Sequence, residues 1–167
     1  MTSSKMGNQN LHEVVITAII VNKNKYLIIK RSSTKKRFPN MWTVPGGKLE
    51  ISDYASLPKD TKDYWYNVLE KTLSREVAEE VGIKIRDVEY LTSLATVHKD
   101  GAPSLVISCL ANFKSGKIKL QKDEADEFAW VSLREAKNYD LIDGIYDELV
   151  MAEANRKGKK VIWKKNS

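Results

Sequence analysis

Three glutamates, Glu76, Glu79 and Glu80, lie at positions i, i+3 and i+4 of the segment REVAEEVGI (75–83). In a helix this spacing places the three carboxylates on one face, where like charges repel by roughly a few tenths of a kcal/mol per pair. A divalent cation between them converts the repulsion into affinity, because Mg²⁺ and Mn²⁺ prefer oxygen ligands. The alternative is a solvated acidic helix face, and the residues upstream favour the metal site over it.

A glycine pair precedes these glutamates in the segment WTVPGGKLE (42–50). A short apolar strand runs into Pro45, Gly46 and Gly47, and glycine suits a tight turn or a close approach of the backbone to a ligand. Together the two segments resemble the Nudix box of the MutT-like Nudix hydrolase superfamily, Gly-x5-Glu-x7-Arg-Glu-U-x-Glu-Glu-x-Gly-U, with U aliphatic. The second half of this motif matches at every specified position: Arg75, Glu76, Val77, Glu79, Glu80, Gly82 and Ile83.

The middle of the motif departs from the family pattern. The family places its arginine 14 positions after the glycine, whereas Arg75 follows Gly47 by 28, so 14 extra residues lie at about residues 51–66. In the family the first motif glutamate supports the loop and pairs with the arginine. The residues able to replace it here are Asn67, Asp53, Asp63 and Glu50. Aromatic residues crowd the insertion and predict either its anchoring to the body or a lid that stacks on a nucleobase: Tyr54, Tyr64, Trp65 and Tyr66.

A second acidic cluster, DEADEFAWV (123–131), precedes another predicted strand. Many Nudix enzymes carry a glutamate six residues ahead of a tryptophan at this point, where it reaches the metal site from a neighbouring loop. By this resemblance Glu124, six residues before Trp130, is the candidate, and Glu127 is held in reserve. The alternative is an acidic loop that offsets nearby lysines.

The resemblance implies a hydrolase that adds water across the pyrophosphate of a nucleoside diphosphate linked to another group. It assigns Mg²⁺, or Mn²⁺, to a set of oxygen ligands: Glu76, Glu79, Glu80, Glu124 and the carbonyl of Gly46. The general base varies across the family and here is Glu79, Glu80 or Glu124. Arg75 is assigned to orienting a carboxylate, because its planar fork of donors suits that role.

Two cations are candidates for substrate binding. Lys48 follows the glycine pair and is within reach of a phosphate, with simple solvent exposure as the alternative. Arg37 belongs to a basic loop with Lys35 and Lys36, which is expected to steer anionic nucleotides toward the cleft.

The apolar patterns predict a strand-rich chain with few helices. The strands are expected at Val14 to Val21, Tyr26 to Arg31, Met41 to Val44, Glu89 to Val97, Ser104 to Phe113 and Phe128 to Val131. Helices are expected from Asp63 to Gly82, after a capping box at Ser132 to Glu135, and from Asp140 to Asn155. Without regular βαβ alternation this order favours an α/β (α+β) fold, a mixed sheet covered by helices on two faces. The resemblance implies the same fold, a Nudix-type α/β/α sandwich.

Composition favours one domain. The 167 residues are 42% hydrophobic, enough for a core, and we expect a flexible segment at 1–12, a single domain at 13–155 and a basic tail at 156–167. The net charge of +6 favours anionic partners such as nucleotides or RNA. We expect a cytoplasmic protein without membrane segments, because no apolar run of 18 residues exists and Cys109 is the single cysteine. A monomer and a homodimer both remain open.

Three functions fit these residues. The first is hydrolysis of a (deoxy)nucleoside triphosphate to a monophosphate and pyrophosphate. The second is hydrolysis of ADP-ribose, a dinucleoside polyphosphate or the 5′-triphosphate end of an RNA. The third is a non-catalytic module of the same fold that binds nucleotides without turnover.

Overall fold

The computed structural model describes residues 11–165. Most of the flexible segment predicted at 1–12, and residues 166–167 of the predicted tail, lie outside the described residues. The strands are β1 (Glu13–Asn22), β2 (Lys25–Arg31), β3 (Trp42–Thr43), β4 (Gly46–Lys48), β5 (Ile83–Val97), β6 (Pro103–Gly116) and β7 (Ala125–Val131). The helices are α1 (Val68–Val81), α2 (Leu133–Ala136) and α3 (Ile145–Arg156), with a 3₁₀ turn at Ile51–Asp53.

The seven strands form one mixed sheet in the order β3-β2-β1-β6-β5, with β4 paired to β1 and β7 paired to β2. The β1–β6 pair is parallel and the other pairs are antiparallel. Both faces are covered, because α1 packs Leu73, Val77 and Val81 on one side while α2 and α3 pack on the other. The predicted α/β/α sandwich with a mixed central sheet is therefore confirmed.

Element starts differ most from the sequence expectation, by five or six residues, in α1, β5 and α3. Helix α1 begins at Val68 rather than Asp63, because Asn67 has the left-handed backbone (φ 54°, ψ 35°) and separates the helix from the insertion. Strand β5 begins at Ile83 rather than Glu89, directly after Gly82 ends α1 with φ 74°. Three irregularities in the β5–β6 register break the apolar alternation that would have revealed this early start. Helix α3 begins at Ile145 rather than Asp140, after Gly144 at φ 88°.

The capping box predicted at the start of α2 is present. Ser132 accepts a hydrogen bond from the Glu135 amide, and the Glu135 side chain accepts one from the Ser132 amide at 2.8 Å. Within residues 11–165, no helix is long and apolar enough to cross a membrane.

Candidate active site

Strand β4 lies between β1 and helix α1 because its two glycines have no side chains. A Cβ on Gly47 would lie 2.1 Å from Cδ of Glu76, and a Cβ on Gly46 would lie 2.3 Å from the carbonyl oxygen of Ile16. Contacts this short would force the backbone or Glu76 to move. The glycine pair therefore sets how closely the carboxylate helix approaches the sheet.

Glu80 is the most buried of the three helix glutamates, at 7% exposure. Its Oε2 accepts a hydrogen bond of 3.0 Å from the amide of Gly46. Burial raises the pKa of Glu80 to about 7, which the Gly46 amide opposes and the charge of Glu124 reinforces. Burial also raises the pKa of the half-buried Glu76, against the opposing charge of Arg75.

Arg75 spreads its guanidinium over three carboxylates. Its Nε donates to Asp53 at 2.7 Å, Nη2 to Glu76 at 2.8 Å and Nη1 to Glu79 at 2.8 Å. Glu79 is 55% exposed and lies against this guanidinium rather than in the cleft. The arrangement fits the orienting role predicted for Arg75 and fixes two of the helix glutamates.

Asp53 occupies the position of the first motif glutamate. Its side chain is 4% exposed, and besides Arg75 it accepts hydrogen bonds from the Thr72 hydroxyl at 3.2 Å and the Glu50 amide at 2.9 Å. Asp53 is also the sixth residue after Gly47, as the family motif requires of its first glutamate, which places the 14 extra residues after Asp53, within 54–67. Asp63 is exposed and Asn67 precedes α1, and neither is hydrogen-bonded to Arg75.

The insertion folds mainly on itself. The rings of Tyr54 and Trp65 are 5.3 Å apart, Trp65 Nε1 donates to the carbonyl of Leu57 at 2.9 Å, and Lys59 lies 5.2 Å from the Trp65 ring. No residue of 51–66 is among the residues that line the cleft. In this conformation the insertion is not a lid over a nucleobase.

A cleft of about 990 Å³ collects most of the predicted site residues. Those that line it are Gly46, Glu76, Glu80, Glu124, Arg37 and Lys48. Glu124 forms an ion pair with Lys35, and the carbonyl of Glu124 accepts a hydrogen bond of 3.0 Å from the amide of Ser32. Glu127, the reserve candidate, instead pairs with Lys30 at 2.7 Å and does not line the cleft.

The donor set of the cleft suits a hard divalent ion. Glu76, Glu80 and Glu124 supply carboxylate oxygens to one cavity, which is the ligand chemistry that Mg²⁺ and Mn²⁺ take. As these side chains stand, no three acidic, histidine or cysteine groups among the described residues converge closely enough to hold an ion. Ion binding therefore requires side chains to move from their present partners, which are Arg75 for Glu76, the Gly46 amide for Glu80 and Lys35 for Glu124.

Arg31 is a cleft residue that the sequence reasoning missed. It ends β2 half-buried, and its Nε donates to the carbonyl of Arg37 at 3.0 Å. Burial lowers the pKa of Arg31, and the carboxylates of Glu80 and Glu124 oppose that shift. A cation in this position is suited to phosphate oxygens. In the sequence Arg31 is only the polar residue that ends a predicted strand. A cation at a strand terminus was the one signal that could have indicated a binding role.

The two predicted substrate cations are held by acidic partners at the mouth of the cleft. Arg37 donates to Glu13 at 2.7 Å and to Asp100 at 2.8 Å, and Lys48 donates to Glu13 at 2.8 Å. The two bonds that Glu13 accepts from Arg37 and Lys48, with a third from the Ser104 hydroxyl, lower the pKa of Glu13 to about 2. Both cations therefore line the cleft, although neither side chain is free to bind phosphate in this conformation.

Comparison with known proteins assigns the chain to a family. The family model of the NUDIX domain matches residues 11–151, so the chain belongs to the Nudix family. The nucleoside triphosphatase NudI of Klebsiella pneumoniae is 26% identical over 142 residues, which cover 78% of this chain and 89% of that protein. The NAD-capped RNA hydrolase NudC of Actinobacillus succinogenes is 36% identical over 124 residues, 71% of this chain but 40% of that protein.

A solved structure agrees in fold. The MutT NUDIX hydrolase from Burkholderia pseudomallei superposes with a TM-score of 0.68 at 22% identity, over 84% of this chain and 98% of that chain. The predicted enzyme class, a Nudix hydrolase, is thereby confirmed. Members of this family generally use divalent metals.

Replacing Asp53 with asparagine should loosen the brace around Arg75. We expect the free energy of unfolding to fall by about 1.5–3 kcal/mol, the usual worth of a hydrogen bond to a charged group. Urea denaturation measures this loss. The matched control is Asp63→Asn in the exposed insertion, which we expect to stay within about 0.5 kcal/mol of the parent. Equal losses in the two variants would contradict the assignment of Asp53.

The lowered pKa of Glu13 predicts a pH-dependent contribution to stability. Because its pKa falls from 4.5 to about 2 on folding, its contribution is complete above about pH 4.5 and is lost as the pH falls toward 2. Glu13→Gln should therefore be less stable than the parent at pH 7, and the difference should shrink at pH 4 and again at pH 3. Urea titrations at the three pH values test this, with Glu89→Gln, an exposed carboxylate of β5, as control. A difference that does not change with pH would be the contrary result.

Proposed function

We propose that the protein is a divalent-metal-dependent pyrophosphohydrolase that cleaves a (deoxy)nucleoside triphosphate to a monophosphate and pyrophosphate. The observation that carries the proposal is the buried Glu80, held by the Gly46 amide at the floor of a cleft shared with Glu76 and Glu124. A buried carboxylate is costly to maintain unless a positive partner is bound beside it. Among the described residues Glu80 forms no ion pair, although the charge of Arg31 favours its ionised form, so a bound cation would stabilise the carboxylate further.

The proposed ligands of Mg²⁺ or Mn²⁺ are Glu76, Glu79, Glu80, Glu124 and the carbonyl of Gly46. The ion supplies positive charge that offsets the phosphoryl oxygens and the charge developing on the leaving group. Arg31 and Lys35 add positive charge beside Glu124 in the cleft, and Arg37 and Lys48 add charge at its mouth. Arg75 positions Glu76 and Glu79 until they turn to the ion, and takes no part in bond making.

Glu124 is our choice of general base among the three that the sequence left open. It lies in the cleft and is 34% exposed, so a water molecule can reach its carboxylate, whereas Glu80 is buried and Glu79 lies on Arg75. A base must lie within hydrogen-bonding reach of the proton that it takes. If Lys35 turned from Glu124 to a phosphate of the substrate, the Glu124 carboxylate would be available to the water.

The choice of a nucleoside triphosphate rests on two observations. The nucleoside triphosphatase NudI is matched over 89% of its length, so the similarity spans nearly the whole of that protein. Several cations also line one cleft, which suits a substrate with several phosphate charges.

A second candidate is a nucleotide joined to a larger group: ADP-ribose, a dinucleoside polyphosphate or the 5′ end of an RNA. The similarity to the NAD-capped RNA hydrolase NudC and the net charge of +6 favour it. A substrate panel at alkaline pH with Mg²⁺ separates the candidates, because released pyrophosphate and phosphate are measured separately. Pyrophosphate from mononucleotides supports the first candidate, and release only from capped or triphosphorylated RNA supports the second. A cytoplasmic location is part of the proposal and fits the single cysteine.

Replacing the cleft carboxylates should abolish most turnover. Glu80→Gln and Glu124→Gln should each lower kcat at saturating Mg²⁺ by about 100-fold or more, the usual contribution of a general base or of charge stabilisation. Glu79→Gln should have the same effect if it ligates the ion as proposed. Steady-state assays of pyrophosphate release measure these rates, and Glu127→Gln, on the same segment but outside the cleft, should remain near the parent rate. Near-parental rates in the Glu80 and Glu124 variants would refute the assignment.

A further inference from the structure

A chain of hydrogen bonds crosses the floor of the cleft away from the glutamates of α1. The hydroxyls of Thr17 on β1 and Ser108 on β6 are 3.1 Å apart, and Ser108 donates to Oε2 of Glu148 on α3 at 2.6 Å. Ser108 and Glu148 are buried, and Glu148 is 5% exposed while it lines the cleft. None of the motifs in the sequence includes these three residues.

The hydrogen bonds of this chain run in one direction, from the Thr17 hydroxyl to the Glu148 carboxylate. A serine hydroxyl has one proton to donate, and Ser108 donates it to Glu148, so Thr17 is the donor in the Thr17–Ser108 bond. The other oxygen of Glu148, Oε1, accepts no hydrogen bond that the described residues donate, and since none of their fully buried side-chain oxygens lacks a partner, Oε1 is open to the cleft. The chain therefore ends in an acceptor oxygen that a ligand in the cleft can reach.

A purely structural role does not account for this carboxylate. Holding α3 against β6 requires one hydrogen bond, and an apolar pair of the same volume would do so at lower cost in free energy. Burial raises the pKa of Glu148, with the charge of Asp147 as a smaller cause, while the Ser108 hydroxyl favours the charged form. No lysine or arginine among the described residues forms an ion pair with it.

The strand register gives the distance from this acceptor to the glycine loop. Thr17 lies opposite Gly46 on β4 and opposite Ser108 on β6. Two strand spacings of about 4.8 Å thus separate the Gly46 and Ser108 backbones by roughly 10 Å. That is about the extent of a nucleoside lying across three strands, with its phosphates at Gly46. Apolar residues that suit a planar ring line the same cleft as Glu148: Val15, Val106, Leu94, Ile142 and Ile145.

We infer that Glu148 reads the nucleobase of the substrate by accepting hydrogen bonds from its N–H groups, and that the base it fits is guanine. Guanine presents two adjacent N–H donors, N1–H and the exocyclic amino group, which match the free Oε1 and the remaining lone pair of Oε2. Adenine and cytosine place an acceptor nitrogen beside their amino group, and uracil flanks its single N–H with two carbonyl oxygens. In each of these three bases an acceptor atom would face the carboxylate, and the opposing lone pairs would repel each other. This assignment rests on the proposed nucleotide hydrolase function and specifies its substrate.

The test compares kcat/KM for GTP, ATP, CTP and UTP in the parent, Glu148→Gln and Asp147→Asn. The parent should favour GTP over UTP by about 10-fold or more, within the range for a paired base edge. Glu148→Gln should reduce that ratio to about threefold or less, mainly by raising KM for GTP, because glutamine replaces an acceptor oxygen with a donor. Asp147→Asn removes the same charge one residue earlier on α3, outside the cleft lining, and should keep the parental ratio. Thermal unfolding of each variant verifies that α3 remains folded.

Two results would overturn the assignment while leaving the proposed function intact: a parent enzyme with no preference for GTP, or a Glu148→Gln enzyme that retains the parental ratio. If the parent hydrolyses no nucleotide at all, the proposed function fails instead. Calorimetric titration with GMP and UMP in the absence of metal then decides the role of Glu148 separately. Tighter binding of GMP that disappears in Glu148→Gln supports the role, and equal binding of the two nucleotides in the parent overturns it.

Discussion

The close contact between β4 and α1 is the constraint on which the rest of the site depends. With no Cβ at Gly47, the carboxylate of Glu76 lies where a side chain would otherwise be, and with β4 this close the Gly46 amide reaches Glu80. The same two glycines pair with β1, where Thr17 lies opposite Gly46 and begins the chain of hydrogen bonds to Glu148. Any side chain at these glycines would separate the sheet from the helix that carries the charge.

Bracing of that contact explains why the chain tolerates an insertion inside its most functional segment. Asp53 and Arg75 are joined directly, so the residues between them begin and end at fixed points. Lengthening a loop between fixed ends costs little, because each doubling of its length adds only about 0.6 kcal/mol of closure entropy. The insertion makes its own ring and hydrogen-bond contacts around Trp65 and leaves the cleft unobstructed. The brace therefore performs its role whatever the length of the loop.

The features that could be predicted from the sequence are those that depend on local patterns of residues. The glutamates at i, i+3 and i+4, the glycine pair and the end of α1 at Gly82 depend on neighbours within a few residues. The start of β5 was missed because its bulges interrupt the alternation of apolar residues. Asp53 was one of four candidates, since its partner Arg75 is 22 positions away and only the folded chain shows which residue reaches it.

Residues whose roles depend on distant elements carried no comparable signal. Arg31 borders the cleft because a strand end, helix α1 and the loop of Glu124 meet there. Glu148 is buried because α3 packs on β6, 40 positions earlier in the chain. A lone arginine at a strand end and a lone glutamate in a helix are ordinary surface residues in most sequences. Their burial is a property of the tertiary structure, and only that burial indicates a role.

The most direct test of the central claim is a crystal structure with Mn²⁺ and a non-hydrolysable nucleoside triphosphate analogue, with the ion located by its anomalous scattering. We expect an anomalous peak between Glu76, Glu80 and Glu124, at metal–oxygen bonding distance from their carboxylates and beside the phosphates of the analogue. We also expect Glu76 to have left Arg75. Bound nucleotide without a peak at this position, and with the glutamates unmoved from Arg75 and the Gly46 amide, would contradict it.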